Sequence, residues 1–269
     1  MSDAIQDEPP VLLDISPDGV ALVILNRPEK KNAFDEFTIE ALTDIFETLR
    51  VADGVRIVFL RGKGTSFCAG ADLEWMQRQA HHDFEDNELD AQNLAKMLLA
   101  LHRLPQLTVA LVQGGAFGGG AGLVAACDYA IALSDARFCF SEVRLGLTPA
   151  TISPYVIEAI GARQARALFA TAMPFDAQRA HEIGLVQEIA SDLDDLAKRE
   201  ERLADLAFCA APGSVAEVKE LVRDVSGKVI DMDLGHQTAR RIAHRRASPE
   251  GKEGLAAFLE KRQPSWSQT

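Results

Sequence analysis

Three short stretches carry residue types that could do chemistry. The first is "GGAFGGGAGLVAACD", Gly114 to Asp128, in which five of the first seven residues are glycine and an apolar run follows at once. It reads as a strand, a tight turn and a helix start. The first N–H groups of a helix lack partners within it and sit at its positive end, so they can stabilise an oxyanion. Close helix packing also requires small residues, and that reading stays open on these residues alone. The second stretch, "GKGTSFCAGADLEWM", repeats the pattern. Gly70 permits a turn, and the Ala71 N–H is exposed near the loop tip. Two N–H donors from two separate turns are what an enolate or tetrahedral oxyanion hole requires. The third is "ARFCFSEVRLGLTPATISPYV", where Glu142 ends an alternating strand with Phe138 and Phe140 on one face. A carboxylate beside apolar side chains has a raised pKa and can exchange protons near neutrality; a solvated edge glutamate is the plainer alternative.

Other readings of the glycines fail on context. A dinucleotide fingerprint belongs near the first strand of its domain, with an acid about 20 residues on; this run is mid-chain. A phosphate loop needs GK[ST], and no such lysine is present.

The elements that must position these stretches alternate. "VLLDISPDGVALVILNRP" reads as a β-hairpin around "PDG". Asp35 is a plausible N-cap for a helix with Phe37, Leu42, Ile45 and Leu49 at helical spacing. "VRIVFLRG" and "TVALVQ" are buried strands, and "YAIAL" with "ARFCFSE" forms a further strand pair. Strand-then-helix alternation implies an α/β fold. Beyond about Thr151 strand signals are sparse and amphipathic helices dominate. The chain therefore divides into an α/β core, 1–200, that holds the site, and a helical C-terminal region, 201–269.

Composition narrows the function. The 269 residues carry a net charge of −12, which argues against a nucleic-acid or anionic-membrane surface. No apolar stretch approaches the roughly 18 residues of a membrane span. The acidic N-terminus "MSDAIQDEPP" shows no leader, and Cys68, Cys127, Cys139 and Cys209 form no CxxC pair. They read as reduced thiols of a cytoplasmic protein. The histidines have no HExxH or H-x₃-H spacing, so no metal site is expected.

Together, "LNRPEKKNAFD", "SFCAGADLEWM", "GGAFGGGAGLVAACDYAIA", "FSEVRLGLTP" and "GKEGLAAFLEKR" resemble the enoyl-CoA hydratase/isomerase (crotonase) superfamily, in order and over nearly the whole chain. The resemblance implies a spiral of ββα turns, with C-terminal helices making trimer or hexamer contacts. It implies an acyl-CoA thioester, with coenzyme A part of the substrate and no separate cofactor, whose carbonyl lies between the N–H groups of Ala71 and Gly119. Lys30 or Lys31 and Ala33 fall where the family lines the CoA moiety. Gly70, Asp72 and Leu73 fall around adenine and pantetheine, and Phe258 and Lys261 match a pair that reaches a neighbouring subunit's CoA.

One departure stands out. The family's two-glutamate hydratases carry a glutamate where this chain has Gly122, leaving Glu142 alone. The resemblance is strongest to bacterial methylglutaconyl-CoA and isohexenylglutaconyl-CoA hydratases. On this reading the space at Gly122 takes a branch or carboxylate of the substrate. Thr151 and Ser153 hold water or that carboxylate, and Arg144 pairs with it. The expected activity is hydration of a branched or acidic 2-enoyl-CoA. A Δ3,Δ2-enoyl-CoA isomerase, for which one glutamate suffices, is the alternative. A non-catalytic RNA-binding or scaffold role is a third class, opposed by the net charge and by the retention of Glu142.

Overall fold

The computed structural model describes residues 8–267. Most of the N-terminal segment read above as leaderless lies outside them. In chain order the elements begin with β1 (Val11–Ile15), β2 (Val20–Leu25), α1 (Glu36–Arg50), β3 (Ile57–Gly62), α2 (Leu73–Gln79) and α3 (Phe84–His102). They continue with β4 (Leu107–Val112), β5 (Gly115–Phe117), α4 (Gly119–Ala126), β6 (Tyr129–Leu133), β7 (Arg137–Cys139) and α5 (Ser153–Thr171). The last are β8 (Phe175–Asp176), α6 (Ala177–Glu182), β9 (Glu188–Ala190), α7 (Leu193–Cys209), α8 (Pro212–Val225), α9 (Met232–Ala247) and α10 (Pro249–Glu260).

Two sheets form. The larger has the order β1-β2-β3-β4-β6-β9, and the smaller β5-β7-β8. The hairpin expected at "PDG" is present, with β1 antiparallel to β2; the other pairings of the larger sheet are parallel. Each turn of the spiral gives one strand to the larger sheet, a short one to the smaller, then a helix. Thus β4 leads to β5 and α4, and β6 leads to β7 and α5. The turn that starts with β3 does the same with less regular pairing, since Cys68 bridges Ala116 of β5 in parallel. This is the expected α/β fold of ββα turns.

The smaller sheet brings the chemistry to one edge. Cys68 pairs with Ala116, and Ala116 pairs with Phe138, all in parallel. Parallel strands in register advance together. Ala71 and Gly119 therefore lie at equal offsets beyond Cys68 and Ala116, and Glu142 follows β7, at the start of the 3₁₀ turn after it.

Several expectations need correction. "YAIAL" and "ARFCFSE" do not pair: β6 belongs to the larger sheet and β7 to the smaller. β7 ends at Cys139, so Glu142 opens a 3₁₀ turn, Glu142–Leu145, and does not end a strand. Asp35 does cap α1, accepting from Thr38 N at 2.8 Å. The buried face of α1 includes Ile39, Leu42, Phe46 and Leu49, whereas Phe37 is 64% exposed. Residue 200 is no boundary, because it falls within α7, whose Leu196, Leu203 and Ala207 pack on Phe59, Val109 and Ile131 of the larger sheet. From α7 to α10 the helices follow one another without an intervening strand. Among the described residues no helix is long and apolar enough to cross a membrane.

Candidate active site

Ala71 sits on the turn between β3 and α2. Its neighbours are both paired to Phe34: Phe34 N donates to Gly70 O at 2.7 Å, and Asp72 N donates to Phe34 O at 2.6 Å. In an extended pairing the intervening N–H points the other way. Ala71 is exposed, and its N–H donates to no acceptor among the described residues. Gly70 makes the turn possible. Its φ is +92°, and a Cβ there would stand 2.9 Å from Phe117 O, so the two turns are in close contact.

Gly119 is the first residue of α4, preceded by Gly118 at φ 49° and ψ −119°, a conformation for which a side chain is costly. Gly118 N donates to Cys139 O at 2.9 Å and Gly118 O accepts from Gly122 N at 3.0 Å, but Gly119 N donates to no acceptor among the described residues. Gly119 is partly exposed, against Phe34. Two N–H groups, on turns in close contact, are thus left without acceptors among the described residues, and one belongs to the positive end of α4.

Glu142 stands beside them. A Cβ on Gly118 would lie 3.2 Å from Glu142 Oε1. Its Oε2 is buried with no hydrogen-bond partner. Burial pushes the carboxyl above the ordinary glutamate range, opposed by a bond to its own backbone. A buried carboxylate that nothing in the protein satisfies is suited to exchanging protons with a bound molecule.

Gly122 does not leave room for a substrate. A Cβ there would meet Ile152 Cγ2 at 2.3 Å, and Ile152 is itself fully buried. The glycine lets α4 and α5 approach and has no catalytic group, which corrects its place among the candidates. Arg144 is committed as well: its Nη2 donates to Ala172 O at 2.6 Å, at the left-handed end of α5. It caps a helix and is not held toward a distal carboxylate. Ser153 Oγ donates to Ala150 O at 2.8 Å, and Ser153 lines an apolar groove with Val143, Pro149, Ile157 and Phe169. Thr151 is half-buried in the preceding turn and has no side-chain hydrogen bond among the described residues.

The candidate CoA-binding positions separate into surface and support. Leu73 is 75% exposed at the start of α2. Asp72 turns inward: Oδ1 caps α2 by accepting from Glu74 N at 2.8 Å and Trp75 N at 3.3 Å, while Oδ2 pairs with Arg27 at 3.0 Å. Burial raises its pKa, but those N–H groups and Arg27 together hold it below the ordinary range. Lys30 pairs with Glu74 at 2.7 Å on the surface; Lys31, at φ 52°, is exposed and Ala33 is buried. Phe258, 80% exposed, and Lys261, at φ 58°, lie at the end of α10, and no hydrogen bond or ion pair among the described residues links them to the two turns.

Two supporting residues escaped the sequence reading. Arg27 Nη1 donates to Ala33 O at 2.8 Å and pairs with Asp35 at 2.9 Å. Buried Asn32, at φ 55°, accepts from Arg27 N at 2.9 Å and donates to Lys63 O and Ser66 O at 2.9 and 2.8 Å. The signal was present in "NRPEKKNAFD": an asparagine tolerates the left-handed conformation, and an arginine directly after a buried strand needs acidic partners.

Known proteins share this fold and much of this sequence. The family model described as enoyl-CoA hydratase/isomerase matches residues 16–269. Enoyl-CoA hydratase AKT6-1 of Alternaria alternata is 36% identical over 242 residues, 89% of this chain and 78% of that protein. Among solved structures, an enoyl-CoA hydratase from Shewanella pealeana superposes with a TM-score of 0.92 at 43% identity, covering 96% of each chain. AtuE from Pseudomonas aeruginosa superposes with a TM-score of 0.92 at 36% identity, covering 96% of this chain and all of that one, 100%.

Proposed function

The chain belongs to the enoyl-CoA hydratase/isomerase family, and we propose that within it the protein hydrates a 2-enoyl-CoA thioester with Glu142 as its single proton-transfer group. The observation that carries this reading is the buried, unpartnered Glu142 Oε2 next to two unused N–H groups. The thioester oxygen accepts from Ala71 N and Gly119 N. Glu142 takes a proton from water as the water oxygen bonds to C3, and negative charge moves to the thioester oxygen. Glu142 then delivers the proton to C2, and the enolate collapses to the 3-hydroxyacyl thioester. An oxyanion donor of this kind typically contributes about 3–4 kcal/mol at the transition state.

The acyl group is proposed to be branched, of the methylglutaconyl type. The support is the resemblance of "FCFSEVRLGLTPATISPYV"; the apolar groove beside Val143 suits a hydrocarbon branch and not the distal carboxylate. Gly122 and Arg144 lend nothing to it, since Ile152 and Ala172 occupy them. A Δ3,Δ2-enoyl-CoA isomerase is the second reading, favoured by one observation: position 122 supplies no second carboxylate. There Glu142 would take a proton from C2 and return it to C4. Initial rates on crotonyl-, 3-methylglutaconyl-, isohexenylglutaconyl- and 3-enoyl-CoA separate the readings. Highest kcat/KM on 3-methylglutaconyl-CoA supports the proposal, and turnover of 3-enoyl-CoA alone overturns it.

Self-association to a trimer or hexamer is part of the same proposal. Val218, Val222, Val229, Ile230 and Met232 of the C-terminal region are exposed, as an interface would require. Light scattering coupled to size exclusion measures this, and a monomer at micromolar concentration contradicts it.

A further inference from the structure

We infer that Arg27 is a positioning residue for the oxyanion donor Ala71, acting through Asp72. The inference rests on the proposed role of the Ala71 N–H. One guanidinium joins two helix starts. Nη1 binds Asp35, the N-cap of α1, at 2.9 Å and the Ala33 carbonyl at 2.8 Å; Nη2 binds Asp72, the N-cap of α2, at 3.0 Å. The Asp72 carboxylate divides its two oxygens between that guanidinium and the N–H groups of Glu74 and Trp75.

The position of the Ala71 N–H follows from these contacts. The carbonyl of its own peptide, Gly70 O, is held by Phe34 N, and the N–H of the following peptide, Asp72 N, is held by Phe34 O. Phe34 itself stands between Ala33 and Asp35, both of which Arg27 binds. Arg27 thus grips both sides of the pairing that aims the donor. No other cation among the described residues bonds to Asp72, since Lys30 is paired with Glu74. The side chain of Asp72 is only 3% exposed. Without the guanidinium, a carboxylate so buried keeps only the Glu74 and Trp75 N–H groups on Oδ1, and Oδ2 is relieved by moving or by taking up a proton. Either response shifts the turn that carries Ala71. Oxyanion donors act only within a narrow geometry, and a misplacement of about 1 Å can cost about 10²-fold.

A purely stabilising network would lower the melting temperature and leave the bound carbonyl alone, so the carbonyl is the readout. The experiment compares wild type, Arg27→Met, Arg27→Lys and Asp72→Asn. Each is assayed for kcat, KM and melting temperature. Difference infrared spectroscopy then follows the stretch of a ¹³C-labelled thioester carbonyl of bound butyryl-CoA, which has no double bond to hydrate. In wild type the stretch falls below its value in solution. In folded Arg27→Met it returns toward that value, and kcat falls at least about tenfold while KM changes less than about threefold. Arg27→Lys recovers part of both effects, because a lysine makes one of the two ion pairs but not the fork. Asp72→Asn reproduces the loss of shift. Should Arg27→Met fail to fold, Arg27→Lys and Asp72→Asn carry the same readouts. A folded variant with the wild-type shift and kcat and only a lower melting temperature overturns the inference but leaves the oxyanion reading intact. A raised KM at unchanged kcat does the same. Absence of any shift in wild type overturns the oxyanion reading, and the inference with it.

Discussion

At the scale of single residues, Glu142 combines function with a cost to stability. Its carboxyl is raised by burial, so the folded protein holds that proton more tightly than the unfolded chain. The stability linked to it is fully present below the unfolded pKa, near 4.3, and is lost as pH rises through the higher folded value. Glu142→Gln should therefore melt higher than wild type at pH 7–8, with the difference vanishing below about pH 4. The same variant should lose at least about 10²-fold in kcat with acyl-CoA affinity little changed. Calorimetry and steady-state rates check the two halves; near-normal turnover removes Glu142 from the chemistry. Gly122 makes the opposite point. The sequence shows where a glutamate is missing but not what fills the space, and the answer is Ile152. Gly122→Glu should reduce stability and all acyl-CoA activities together, and Ile152→Ala in the same chain should restore part of the stability. Selective loss on an acidic substrate in a folded Gly122→Glu variant would contradict this packing role.

At the scale of elements, the two turns were legible because glycine is the residue that a left-handed turn in close contact demands. Gly70, at φ +92° and facing Phe117 O, should tolerate no side chain. Gly70→Ala should cost upwards of about 1–2 kcal/mol from the backbone conformation alone, with further loss from the contact, and kcat should fall more than affinity. Denaturant titration and rate measurements test this; an unchanged midpoint would show that the turn is not constrained. The hairpin and the cap at Asp35 were also legible, each resting on local chemistry. The pairing of "YAIAL" with "ARFCFSE" failed because two adjacent strands in sequence can feed different sheets. β8 and β9 are too short, at two and three residues, to show any periodicity. Arg27 and Asn32 act across sequence distance, which composition cannot reveal.

At the scale of the molecule, the C-terminal helices are fastened to the core by Lys219. Its Nζ pairs with Asp128 at 2.6 Å and donates to Gln106 O at 2.7 Å. Desolvation lowers its pKa, opposed by Asp128, so the charge is held at a cost that the pair offsets. Lys219→Met should destabilise by about 3 kcal/mol, the low end for breaking a buried pair, because Asp128 keeps its bonds from Thr108. Adding Asp128→Asn should recover part of that loss in urea denaturation, and an unchanged midpoint in Lys219→Met would show the contact to be incidental. The spiral was legible only through resemblance, since no periodicity in the chain announces two separate sheets. What it achieves is convergence: three successive turns deliver Ala71, Gly119 and Glu142 to one edge. The most direct measurement of that convergence is a crystal structure with a non-hydrolysable acyl-CoA thioether ketone bound. Its carbonyl oxygen should lie about 2.7–3.1 Å from both Ala71 N and Gly119 N, with the Glu142 carboxylate against the acyl carbons; an acyl group seated elsewhere, or a carbonyl turned away from either N–H, would contradict it.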